Sequence, residues 1–137
     1  MYNLKISEEG PPVIIQIYYF GLLTASYVYS LWKKDSNVKI ETSQGNNLNS
    51  DDDAYQLSGT SQENLGRLIE VFSTLSNPDA ETRPEIVALK IFQNQKLLFA
   101  DELPEGSKVH NDIFSIAETF SVAANSTIAN DIFILLR

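Results

Sequence analysis

Residues 24–32 alternate in character: Thr24, Ser26 and Ser30 fall on one side, and Ala25, Tyr27, Tyr29 and Leu31 on the other. Successive strand side chains point to opposite faces, so a period of two predicts a strand with one wet and one dry face. Residues 37–42 repeat the pattern, with Val38, Ile40 and Thr42 set against Lys39 and Glu41. Residues 2–6 do so briefly, with Tyr2, Leu4 and Ile6 against Asn3 and Lys5. Residues 13–20 are apolar on both sides except at Gln16, which predicts a strand deep in a sheet. Gly10-Pro11-Pro12 separates the first two of these runs.

Residues 11–32 contain no charge and are flanked by Glu8-Glu9 and Lys33-Lys34. A run of that length can cross a bilayer as a helix, and the lysines would place its end in the cytoplasm. Its interior opposes that reading. Gln16, Gly21, Thr24 and Ser26 would sit in hydrocarbon, while Ile, Val and Tyr suit a pleated sheet. The run therefore reads as two strands joined near Phe20 and Gly21, and a membrane location is not expected.

Further along, residues 53–58 predict a short strand with Tyr55 and Leu57 inward. Residues 65–75 fit two periods. Leu65, Leu68, Ile69, Phe72 and Leu75 make a helical stripe behind the capping box Thr60-x-x-Glu63. Gly66 and the β-branched residues weaken a helix, so a strand is preferred. Residues 112–124 carry the same ambiguity, with Phe114, Ile116, Phe120 and Val122 on the strand face. Residues 85–93 and 95–100 predict a hairpin around Asn94, and residues 127–136 a final strand.

These elements amount to about 8–10 strands with turn signals between them, the pattern of an antiparallel β-sandwich in a single all-β domain, 1–137. The alternative is an α+β fold with helices near 61–76 and 111–124.

Charge narrows the partners. The 137 residues carry 18 acidic against 10 basic side chains, a net charge of −8. That opposes binding to phosphate backbones, so nucleic acid is not an expected partner. The absence of cysteine removes disulfides, thiolate catalysis and thiolate metal sites. The first ten residues set Lys5 against Glu8 and Glu9 and do not resemble the basic start of a secretory leader. A cytoplasmic location is the default, although a chain already trimmed of a leader reads the same way.

Three groups of residues suggest chemistry. Asn47, Asn49, Asp51 and Asp53 place oxygen donors at alternate positions of a polar loop, as calcium ligands often fall. The EF-hand spacing fails, since Asp52 stands where its glycine is required and Ser58 where its glutamate is required. Tyr27, Tyr29, Trp32 and Tyr55 are the leading aromatic candidates for stacking on a sugar or anchoring a protein, although neighbouring strand positions cannot all share a face. His110 is the only histidine, with Ser107 and Ser115 nearby, but no nucleophile-elbow motif accompanies them. It reads as a surface residue.

The expectation is a non-catalytic binding or assembly module that recognises a protein or carbohydrate and can self-associate through edge strands. No cofactor is expected unless calcium. The alternatives are a calcium-dependent ligand-binding domain using residues 46–53 and a small hydrolase built on a carboxylate pair.

Overall fold

The computed structural model describes residues 1–48, 53–100 and 102–137. Among these described residues ten strands follow in chain order: β1 (Tyr2–Leu4), β2 (Ile14–Gly21), β3 (Thr24–Trp32), β4 (Lys39–Asn46) and β5 (Asp53–Gln56), then β6 (Leu68–Asn77), β7 (Arg83–Phe92), β8 (Ser107–His110), β9 (Ile113–Val122) and β10 (Ser126–Leu136). They form two five-stranded sheets, β1-β10-β6-β3-β4 and β5-β2-β7-β9-β8. Every pairing is antiparallel except β1 with β10. The sheets pack as a β-sandwich. Among the described residues no helix is long and apolar enough to cross a membrane.

The period-two patterns translate directly into faces. Ile15 and Ile17 of β2, Ile69, Val71 and Leu75 of β6, and Val87, Leu89 and Ile91 of β7 point between the sheets and are buried. Phe114 and Ile116 of β9 and Ile132, Ile134 and Leu136 of β10 complete that layer. Fully burying an aliphatic side chain of this size contributes roughly 1.5–3 kcal/mol. A shift of one residue in any of these strands would turn its core set outward, so the register is strongly fixed.

The segments of mixed periodicity resolve as strands. Residues 68–77 pair along their length with both β3 and β10. Inside a sheet, Ile69, Val71 and Leu75 share the core face while Leu68 and Phe72 turn outward. The helical alternative near 61–76 is therefore absent. The capping-box bonds still form: Thr60 N–H donates to Glu63 Oε1 and Glu63 N–H to Thr60 Oγ1, both at 3.1 Å, around a turn rather than a helix. The helical alternative near 111–124 is replaced by β9.

The expected hairpin around Asn94 does not form. Both edges of β7 are occupied, by β2 and by β9. Residues 95–100 cross the end of the sandwich instead, held by the bridge between Lys5 and Phe99 and by the Leu98 N–H, which donates to the Asn111 carbonyl at 3.0 Å. Of their apolar side chains Leu98 is buried, while Leu97 and Phe99 are exposed.

One irregularity shapes the surface. Between Leu31 and Trp32 the β3–β4 register slips, so that Leu31 faces Glu41 and Trp32 faces Lys39. Glu41 faces inward in the regular part of the ladder, and the slip beyond it sets Lys39 rather than Ile40 opposite Trp32, with the Lys39 ammonium over the indole ring, 5.0 Å from its centroid.

Candidate functional site

The four aromatic candidates part company in the fold. Tyr27 and Tyr29 are buried between the sheets, and Tyr55 is half-buried beside them. Tyr29 and Tyr55 stack with centroids 5.0 Å apart, and the Tyr27 and Tyr55 hydroxyls are 2.5 Å apart. Tyr29 donates to Glu41 Oε1 at 2.8 Å, and Glu41 also receives the Ser58 N–H (3.3 Å) and the Ser58 hydroxyl. Tyr19 bonds Ser73 at 2.8 Å. Burial, which disfavours the phenolate, pushes the Tyr19 hydroxyl up to about 12 and raises Tyr27 and Tyr29 further. These hydroxyls stay protonated and act as hydrogen-bonding parts of the interior.

Trp32 lies on the opposite face of β3, outside the sandwich. Cross-strand register maps the surface around it. Leu135, Leu68 and Trp32 form one row across β10, β6 and β3. Phe133, Glu70 and Ser30 form the next, and Asp131, Phe72 and Val28 a third. The Trp32 indole N–H donates to Glu70 Oε1 at 3.0 Å. Asp131 and Glu70 hydrogen-bond to each other, and burial together with that bond raises the Asp131 carboxyl from 3.8 to about 6. Phe72 is 39% exposed near the middle of the sheet. Shallow grooves of about 330 and 360 Å³ flank the rows, one around Val28 and Phe72 and the other between Trp32, Leu68 and Phe133.

Of the four calcium candidates, Asn49 and Asp51 lie outside the described residues. Asn47 is committed to β3: its Oδ1 accepts from Ala25 N–H (2.9 Å) and its Nδ2 donates to the Leu23 carbonyl (2.7 Å). Asp53 opens β5 opposite Ile17. Among the described residues no group of three or more His, Asp or Glu side chains is arranged to hold a metal ion. His110 is exposed on β8, with its ring beside the Asn111 amide at 3.3 Å.

A further titratable group, not singled out by the sequence, is Glu85. It has no exposed surface. Its Oε2 accepts from Leu23 N–H at 3.1 Å, while Oε1 has no partner. Burial raises its pKa above the ordinary carboxyl value, partly offset by the Leu23 bond. With no exposed surface, it reads as part of the architecture rather than of a binding surface.

Comparison with protein families, with curated proteins and with solved structures finds no match.

Proposed function

We propose that this chain is a non-catalytic module that recognises another protein through the outer face of its β1-β10-β6-β3-β4 sheet. The observation that carries the reading is the set of rows just described. Val28, Trp32, Leu68, Phe72, Phe133 and Leu135 lie together on a face that the fold itself leaves uncovered, around the linked carboxyls of Glu70 and Asp131. An apolar centre interrupted by a few polar groups is the composition of a recognition patch.

A sugar is the less suitable occupant. Stacking needs a free aromatic face and free donors, whereas Lys39 lies over the Trp32 ring and the indole N–H is held by Glu70. Glycoside hydrolysis is also disfavoured here. Its two carboxyls stand roughly 5–9.5 Å apart around the scissile bond, whereas Glu70 and Asp131 bond to each other. A second copy of the chain would bring another net charge of −8 to the contact, so the partner is expected to be apolar with a basic group placed over the carboxyl pair.

A photo-crosslinking residue at position 72 tests the proposal, with position 117 on the other sheet as control. Incubation with extract of the source cells should yield a protein adduct at 72 that fades when Phe133→Ala and Leu68→Ala are added. Adducts of equal yield at 72 and 117 would refute the assignment of the face. So would glycan-array binding lost on Trp32→Ala.

A further inference from the structure

The other sheet presents the reverse electrostatics. On the outward positions of β5, β2, β7, β9 and β8 there is no aspartate or glutamate, in a chain with 18 acidic residues. Basic groups gather there instead. Lys90 of β7 and Lys108 of β8 both pair in register with Ser115 of β9, so the hydroxyl stands directly between the two lysines. Gln16 of β2 extends the same row on the far side of Lys90. His110 lies two residues beyond Lys108 on the same face, opposite Ile113. Among the described residues no carboxylate forms an ion pair with Lys90 or Lys108.

Geometry makes this more than a scatter of lysines. Neighbouring strands are about 4.8 Å apart, so the two lysine stems leave the sheet roughly 10 Å from each other. Their flexible side chains are long enough for both ammonium groups to meet above Ser115. The Lys90 ammonium rests over the Tyr18 ring of β2, 5.6 Å from its centroid and on the side of β7 away from Ser115, so it has to swing across β7 to close on an anion there. The lysines, His110, Ser115 and Ile113 border one open groove of about 410 Å³. Like charges gathered on a sheet without an acidic partner repel one another, and an anion between them removes that repulsion. The overall negative charge acts only weakly on such an anion, since salt screens it beyond about 8 Å at physiological ionic strength.

We infer that Lys90, Lys108, His110 and Ser115 form a binding site for a single tetrahedral oxyanion, a sulfate or phosphate, either free or as the ester group of a larger ligand. Two ammonium groups, an imidazole N–H and a hydroxyl supply donors around its oxygens, and charge-assisted bonds of this kind are the strong ones.

The test uses amide chemical shifts of the ¹⁵N-labelled protein during titration with sodium sulfate, sodium phosphate, glucose 6-phosphate and glucose 6-sulfate, at constant ionic strength in chloride. Saturable shifts centred on residues 107–110 and 113–116 are expected, with affinity falling about tenfold in Lys90→Met and in Lys108→Met. Lys39→Met, on the other sheet, should leave affinity unchanged. Tighter binding of an ester than of the free ion identifies an ester as the physiological form, and equal binding identifies the free ion; either supports the site. Shifts that do not saturate, that spread over both sheets, or that weaken equally in Lys39→Met would overturn it. Wild-type shift mapping decides the matter even where a variant folds poorly.

Discussion

Glu85 and Gly21 face each other across β2 and β7, and their fit is close. Gly21 has φ +148°, a conformation that other residues rarely adopt, and a methyl group there would press on the Glu85 carboxyl. The buried carboxyl has one unpartnered oxygen, and burial favours its neutral form more than the unfolded chain does. Its pKa is raised on folding. Its contribution to stability is therefore fully present below the unfolded carboxyl value and is lost as pH rises through the folded one. Glu85→Gln keeps an acceptor for Leu23 N–H and cannot ionise. In urea melts it should match the parent near pH 4 and exceed it at pH 8 by about 1–3 kcal/mol, the cost of an uncompensated buried polar group. A difference that stays constant with pH would show that this carboxyl does not titrate within the folded protein.

At the scale of elements, Asn47 shows how a side chain can lengthen a sheet. The β3–β4 ladder runs to Ser26 opposite Asn46. Beyond it Asn47 N–H reaches the Ala25 carbonyl at 3.0 Å, while its amide takes up Ala25 N–H and the Leu23 carbonyl. Asn47→Ala should lower stability by about 1–2 kcal/mol, measured by denaturant melts, through loss of two hydrogen bonds. Because this amide is committed, millimolar calcium should leave the melting temperature unchanged. A rise of several degrees would mean that a cation draws the loop into a site of its own. Local alternation made most strands readable, β3 from end to end. It also placed Trp32 and Tyr29 on opposite faces, since they are an odd number of positions apart. It did not show which strands become neighbours. The rows of Asp131 with Phe72 and of Lys90 with Ser115 and Lys108 arise from pairings between distant segments, so neither surface was visible in the sequence. Strand β8 was missed because its four residues, SKVH, lie on a sheet edge and alternate only weakly. The apolar run 97–100 suggested a strand, but β7 had no free edge to receive it.

For the molecule as a whole, several acidic features act in one direction. The Asp131 carboxyl is raised to about 6 by burial and by its bond to Glu70, so the stability it contributes is present below the unfolded value and lost as pH climbs through 6. Glu85 has the same sign. The net charge of −8 at neutral pH adds self-repulsion that acid relieves. The protein should therefore melt about 3–8 °C higher at pH 5.5 than at pH 8, and Glu70→Gln should narrow that gap. A higher melting temperature at pH 8 would mean that carboxylates stabilised by folding outweigh these groups.

The parallel pairing of β1 with β10 also has a consequence in time. Synthesis delivers residues from the N-terminus at about 5–20 per second. Of the ten strands β1 is made first and its partner last. Tyr2 and Leu4 thus wait for seconds before their place exists, while a hairpin such as β3–β4 closes within microseconds of being made. The arrangement works because β1 is only three residues long and lies at the rim. The four strands inside it can close without it, and the strand made earliest of the ten is the last to be laid down.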